Sequence, residues 1–328
     1  MKNDNTIYIM RKDKTTSTRC SSLIILCSSM VVLATLGLSG CGYDASSAEQ
    51  LRLEQACNID TSLHTLIGVD TIEGFASLNR LTAESWIMVD DSSGMMLSSR
   101  DADRRMYPAS LTKMMTCLIA LERGNLSDTV AITPDIFVTT DAMVRPGYQF
   151  TLHNLLVEMM LQSDNVSAYA IAQHIAGDTL AFVSMMNDKA AYLHMDSTHF
   201  ANPNGLPNDS NYSTARDLLI LTRYCMADTL FAEIVGTPYA DLPLTDGRHM
   251  PCWNTNQLLN RYDGCIGVKT GFTRKAGSCL AASISRRGGS TLTLVLLKSK
   301  THASRFSEAQ SLFDFGFNVI DAIGWHYD

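Results

Sequence analysis

Tyr107-Pro108-Ala109-Ser110-Leu111-Thr112-Lys113-Met114 sets a serine and a lysine three positions apart, where the pattern predicts the start of a helix. Pro108 lacks an N–H and its φ is already near the helical value, so it suits the last non-helical or first helical position. Leu111, Met114, Met115, Leu118, Ile119 and Leu121 then recur at helical spacing up to Gly124. Residues i and i+3 share a helix face, so the Ser110 hydroxyl and the Lys113 amine are expected side by side near the positive end of the helix dipole. A lysine buried there has a lowered pKa and can take the hydroxyl proton. Alone, S-x-x-K describes many helix starts with an ordinary surface lysine, so its meaning depends on what surrounds it.

Around this stretch the chain reads as strands at both ends with helices between them. Trp86-Ile87-Met88-Val89-Asp90 and Met95-Met96-Leu97-Ser98-Ser99 flank a turn at Asp91-Ser92-Ser93-Gly94, predicting a hairpin. Thr151 is placed to cap a helix over Leu152 to Leu161, and a second runs from Val166 to Ala176 and stops at Gly177, leaving Ser163-Asp164-Asn165 between them. Further helices are predicted over 179–193 and from Ser213 to about Ala227. Cys265 to Thr270, Cys279 to Ser285 and Thr291 to Leu297 read as strands, and His302 to Ile320 as an amphipathic closing helix. The two ends are expected to share one sheet, with a helical lobe over about 110–235. A site would lie where the two meet.

Three short patterns line up in this frame: Ser110-Leu111-Thr112-Lys113, Ser163-Asp164-Asn165 and Lys269-Thr270-Gly271. Together they are the set carried by penicillin-binding proteins and class A β-lactamases. Longer strings accompany them: Asn202-Pro203-Asn204-Gly205-Leu206-Pro207, Tyr212-Ser213-Thr214-Ala215-Arg216-Asp217, and Asn254 to Leu259 followed by Gly267 to Thr273. Over roughly residues 82–320 the chain resembles the low-molecular-weight penicillin-binding proteins, the serine D-alanyl-D-alanine carboxypeptidases of peptidase family S11. The resemblance implies an α/β (α+β) transpeptidase-type fold like that of β-lactamases, with a mainly antiparallel sheet flanked by helices and an all-helical lobe. It implies removal of the terminal D-alanine from peptidoglycan stem pentapeptides through an acyl-enzyme, with β-lactam antibiotics as covalent inhibitors and no cofactor or metal.

Residue by residue, the resemblance makes Ser110 the nucleophile, Lys113 the general base and Ser163 the relay of a proton to the leaving amine. A second amine, Lys269, would help keep Lys113 neutral if the two lie close together. Asn165 would bond the substrate's peptide group, while Lys269 and Thr270 would hold its terminal carboxylate. The strand after Gly271 would lie beside the substrate backbone, and the N–H groups of Ser110 and Phe272 would form the oxyanion hole. The Asn202–Pro207 loop reads as bracing for the site wall, and Arg248 and Arg274 as surface arginines. One departure is Cys265-Ile266 ahead of Gly267, where the family commonly carries an acidic residue.

The 328 residues carry a formal charge of −7, with 46% hydrophobic and 18% charged side chains. That composition fits a globular chain, and with no basic patch beyond the N-terminus it excludes nucleic acid as a partner. Lys2, Arg11, Lys12, Lys14 and Arg19 precede an apolar run from Leu23 to Leu38, as in a signal peptide. Leu38-Ser39-Gly40-Cys41 resembles a bacterial lipobox, implying cleavage after residue 40, lipid on Cys41 and a membrane-anchored protein facing the periplasm or cell wall. Met10 would serve as an alternative start. The expected organisation is a signal peptide over 1–40, a tether and N-terminal segment over 41–80, and a penicillin-binding domain over 81–328. In an exported chain Cys252, Cys265 and Cys279 are candidates for a local disulfide, and Cys117 for a buried free thiol.

A class A β-lactamase shares the three motifs but needs a glutamate downstream of S-D-N to activate the deacylating water. None occurs between Glu158 and Glu233. A D,D-endopeptidase acting on cross-links would use the same residues, and the sequence leaves it open.

Overall fold

Every residue of Ser85–Asp90 is buried, and its apolar side chains divide between two cores. Alternate residues of a strand point to opposite faces, so such a strand belongs inside a sheet covered on both sides. The computed structural model describes residues 47–63, 69–136, 142–286 and 289–324; the apolar leader, Met10 and Cys41 lie outside the described residues. In chain order the elements are α1 (Ser47–Cys57), α2 (Phe75–Leu78), β1 (Ser85–Asp90), β2 (Met96–Arg100), α3 (Lys113–Arg123), β3 (Thr129–Ala131) and β4 (Gln149–Thr151). Then follow α4 (Leu152–Gln162), α5 (Asn165–Ala176), α6 (Thr179–Tyr192), α7 (Ala215–Met226) and α8 (Thr229–Gly236). The chain continues with β5 (Tyr239–Pro243), β6 (His249–Trp253), β7 (Cys265–Thr273), β8 (Gly277–Ser285), β9 (Thr291–Ser299) and α9 (Ser304–Ile323).

Five strands form one sheet in the order β2-β1-β9-β8-β7, with antiparallel pairing throughout. The two ends of the chain meet at β1 and β9, as expected, with Ile87 opposite Val295. On one face Trp86, Met88, Leu294 and Leu296 pack with Phe306, Leu312 and Phe313 of α9. On the other, Ile87, Val89, Ala281 and Val295 join the core of the helical block. Burying each large apolar side chain contributes about 1.5–3 kcal/mol relative to exposure, which holds the three layers together. The observed architecture is the expected one, a mainly antiparallel sheet flanked by helices.

Helix α3 runs through the middle of the helical block, and every residue from Lys113 to Ala120 is buried. The sequence predicts one apolar face; α4, α5, α7 and α8 cover the others. Thr151 caps α4 as predicted, its hydroxyl accepting from the Asn154 N–H. The block closes with α8, which packs on the start of β7. At the N-terminal end, α1 lies on α7, where Arg223 donates to the Ala56 and Asn58 carbonyls and pairs with Asp91.

The cysteines correct one expectation. Cys252, Cys265 and Cys279 are free thiols. Cys265 pairs with Ile284 and Cys279 with Gly271, so the two thiols stand six residues apart along β7, about 20 Å at ~3.3 Å per residue. Proximity in sequence becomes distance because the two lie at opposite ends of one hairpin. Cys117 is buried and free, and burial raises its pKa.

Candidate active site

The Ser110 segment does not enter the α-helix directly. Ala109–Thr112 form a 3₁₀ turn, and α3 begins only at Lys113. Ala109 takes a φ of +50°, and two glycines allow neighbouring backbone to press against it. A Cβ on Gly205 (φ +84°) would lie 1.9 Å from the Ala109 carbonyl oxygen, and one on Gly271 would lie 3.1 Å from both the Ala109 Cβ and the Ser110 nitrogen. The Asn202–Pro207 loop and strand β7 thus converge on the same turn.

Lys113 is fully buried. Its Nζ lies 3.0 Å from Ser110 Oγ, 2.9 Å from Asn165 Oδ1 and 2.8 Å from the Asn204 carbonyl oxygen. Burial pushes the amine down to about 7, against the upward pull of Asp164 and Glu158. A neutral amine has two N–H donors and one lone pair. Donating to Asn165 and Asn204 leaves the lone pair for the Ser110 O–H, which is the geometry in which it can accept that proton. The Asn204 contact is invisible to sequence reading, because the partner is a main-chain atom. The same loop is braced by Thr116 Oγ1 donating to the Pro203 carbonyl at 2.6 Å and the Gly205 N–H donating to Asn202 Oδ1 at 2.7 Å.

Ser163 ends α4 in the left-handed conformation, with φ +65°. Asp164 caps α5, its carboxylate accepting from the Val166 and Ser167 N–H groups. The Met143 and Val144 N–H groups also donate to it. Asn165, the first residue of α5, is thereby held against Lys113.

β7 is an edge strand of the sheet, so one side of its backbone is left for another partner. Lys269 is buried, and its Nζ donates to the Thr270 carbonyl at 3.2 Å. Burial lowers its pKa well below the lysine range, with Lys113 and Arg305 adding to the effect. Lys113 thus depresses Lys269, whereas Lys113 itself is lowered by burial, against Asp164 and Glu158, and not by the second amine. The Thr270 and Thr255 hydroxyls share a hydrogen bond of 2.7 Å, and the Thr255 N–H donates to the Leu161 carbonyl, which ties β7 to the end of α4.

Arg305 of α9 donates to the Gly271 carbonyl at 3.1 Å from the interior. The C=O and N–H of one trans peptide unit point in opposite directions. The Phe272 N–H therefore points away from Arg305, on the opposite side of that peptide unit. Nothing near Arg305 in the sequence hints at this. The Phe272 side chain itself is 48% exposed and packs on His302 at 4.3 Å between ring centroids. Arg248 pairs with Asp246, and Arg248 and Arg274 are both exposed.

Glu158 is a second feature outside the motifs. Fully buried on α4, it hydrogen-bonds the Ser167 hydroxyl through Oε2, while Oε1 has no partner among the described residues. Burial raises its pKa well above the carboxylate range, and the nearby Asp164 raises it further. Among the described residues no group of His, Cys, Asp and Glu is arranged to hold a metal ion.

A buried lysine touching a serine hydroxyl, a second buried lysine and an edge strand beside them are the parts of a penicillin-binding serine DD-peptidase. Residues 73–301 match the D-alanyl-D-alanine carboxypeptidase family, Peptidase S11. The chain is 36% identical over 242 residues to the D-alanyl-D-alanine carboxypeptidase DacB2 of Mycobacterium tuberculosis, covering 72% of this chain and 82% of that one. It is 31% identical to the D-alanyl-D-alanine carboxypeptidase DacF of Bacillus subtilis, covering 73% of this chain and 63% of that one. The crystal structure of the Streptomyces K15 DD-transpeptidase superposes with a TM-score of 0.68 at 31% identity, over 72% of this chain and 97% of that one. The protein belongs to the D-alanyl-D-alanine carboxypeptidase family and is a serine hydrolase of that class.

Proposed function

We propose that the protein removes the terminal D-alanine from peptidoglycan stem pentapeptides, with Ser110 as nucleophile and Lys113 as its base. The observation that carries this reading is the buried Lys113 amine, 3.0 Å from Ser110 Oγ and held by two further acceptors. Ser110 Oγ attacks the penultimate D-Ala carbonyl as its proton passes to Lys113. The developing oxyanion lies between the N–H groups of Ser110 and Phe272. Ser163 relays a proton to the leaving amine, the C–N bond breaks, and free D-alanine departs. Water then cleaves the ester and regenerates Ser110.

Asn165 bonds the substrate's peptide group. Lys269 and Thr270 take its terminal carboxylate, and that carboxylate restores charge to an amine whose burial otherwise disfavours it. β7 pairs with the extended substrate as an added strand does, next to Gly271 and Phe272. Penicillin, as a cyclic acyl donor, acylates the same serine and leaves slowly, since no glutamate follows Asn165 before Glu233.

The chain is exported under this reading. Residues 1–40 act as a lipoprotein signal peptide, Cys41 carries the lipid, residues 41–80 connect it to the peptidase domain over 81–328, and the enzyme works at the membrane's outer face. Among the described residues no helix is long and apolar enough to cross a membrane.

The test is incubation with diacetyl-Lys-D-Ala-D-Ala, scoring free D-alanine, with wild type and Ser110→Ala in parallel. Release by wild type alone is expected. Equal release by both would sink the nucleophile assignment, and cleavage confined to cross-linked dimers would make the protein an endopeptidase.

A further inference from the structure

A peptide bound beside β7 has its direction set by the groups already placed. Its terminal carboxylate lies at Lys269 and Thr270, and its scissile carbonyl lies at Ser110 and the Phe272 N–H. The acyl-donor part must then continue past Thr273 towards the turn that joins β7 to β8. At that end there is a recess of about 370 Å³, lined by Arg104, Arg105, Tyr107, Tyr212, Lys275 and Lys298, among others. Tyr107 stands three residues before Ser110, and Lys275 two residues after Thr273, so the recess adjoins the reaction centre along both segments.

The charges in this recess are unequal. Arg104 and Lys298 share Glu84, at 3.2 and 2.8 Å. Lys275 pairs with Asp209 at 2.8 Å, and the Tyr107 hydroxyl donates to the same carboxylate at 3.0 Å. Arg105 has no carboxylate partner among the described residues; its guanidinium lies 4.7 Å from the centre of the Tyr212 ring. Four cations thus face two carboxylates, and the unmatched one is a planar guanidinium backed by an aromatic ring. That combination suits an incoming carboxylate, which a guanidinium can grip through two parallel N–H donors.

We infer that this recess is the subsite for a free carboxylate on the acyl-donor side of the substrate, with Arg105 as the residue that takes it. The inference rests on the carboxypeptidase reading, because that reading sets the direction of the peptide. Peptidoglycan stem peptides carry such a carboxylate on the residue upstream of the diamino acid, so the recess would make the enzyme selective for acidic donors over neutral ones. Lys275 and the two tyrosines flank the position, and Asp209 keeps Lys275 in place.

Two matched donors test it: acetyl-L-Ala-γ-D-Glu-L-Lys(acetyl)-D-Ala-D-Ala, and the same peptide with the glutamate α-carboxylate replaced by its amide. Wild type should release D-alanine from the acid with a kcat/KM about fivefold higher, and added salt should erode the advantage. Arg105→Gln should bring the ratio to about one. Equal rates in wild type, or a preference that persists in Arg105→Gln, would overturn the assignment. Calorimetric binding of both peptides to Ser110→Ala reads the recess without turnover, and equal affinities there would overturn it too. Release from neither donor by wild type would overturn the carboxypeptidase reading itself, and the inference with it.

Discussion

Arg305 donates to the Gly271 carbonyl at 3.1 Å, and in doing so fixes the next N–H of the chain, that of Phe272, on the opposite side of the peptide unit. A residue of the closing helix thus bears on the N–H that the proposed mechanism assigns to the oxyanion. Burial lowers the Arg305 pKa to about 10, still high enough to keep it charged at neutral pH. Arg305→Met should fold but acylate with penicillin more slowly, by about one to two orders of magnitude, since losing an oxyanion donor outright costs about 10²–10³. Stopped-flow acylation rates check this. An unchanged rate would show that the strand holds the N–H in place unaided.

Lys113 sets a pH dependence with a definite sign. Only the neutral amine can take the Ser110 proton, so the acylation rate should rise with pH through about 7 and level off above it. Stability follows the same group. With its pKa lowered on folding, Lys113 binds fewer protons folded than unfolded between about 7 and its ordinary value of 10.5, so its contribution to stability rises with pH across that window. Lys113→Met should abolish acylation and raise the melting temperature most below pH ~7, with the gain shrinking towards pH ~10. Thermal scans across pH, read beside penicillin labelling, separate the two effects.

Glu158 should behave as a protonated acid. It lies near Asp164, Lys113 on α3, Lys269 on β7 and Cys252 on β6, and its hydroxyl partner is Ser167. A carboxyl whose pKa rises on folding loses stability as pH climbs above its unfolded value. Glu158→Gln keeps the shape and removes that loss, so its melting temperature should exceed wild type by more at about pH 8 than at about pH 5, with acylation nearly unchanged. Glu158→Ala should instead destabilise by about 1–3 kcal/mol, because Ser167 is left without its buried partner. Identical scans for wild type and Glu158→Gln at both pH values would show that the carboxyl does not change protonation on folding.

The two glycines at the Ser110 turn should fail differently. Gly205→Ala adds a Cβ 1.9 Å from the Ala109 carbonyl at a φ of +84°, so both space and backbone oppose it, and loss of stable fold is expected. Gly271→Ala meets its neighbours at 3.1 Å, a smaller intrusion that should keep the fold but push β7 off Ser110. Circular dichroism with penicillin labelling checks both: Gly271→Ala should be folded and slow. A fully active Gly271→Ala would mean that the turn and the strand have room to part.

Much of this is legible in the chain. Apolar runs mark β1 and β9, Thr151 marks the start of α4, and the i, i+3 spacing brings Ser110 and Lys113 together even though a 3₁₀ turn replaces the expected first turn of helix. These are local signals, carried by side chains within one or two turns of each other. The order of Ser163, Asn165 and Lys269 along the chain then points to the chemistry.

Tertiary structure decides the rest. That Lys113 is fully enclosed depends on helices from across the block, not on its own helix's pattern. Its third partner, the Asn204 carbonyl, and the carbonyl that Arg305 holds are main-chain groups, which every residue type carries alike and no composition reveals. The separation of Cys265 from Cys279 comes from a hairpin's geometry, and the burial of Glu158 from the packing of α4 inside the block. Sequence alone determines which reactive groups the protein has and in what order. Only the fold sets the distances and the exclusion of water that bring the Lys113 amine down to about 7.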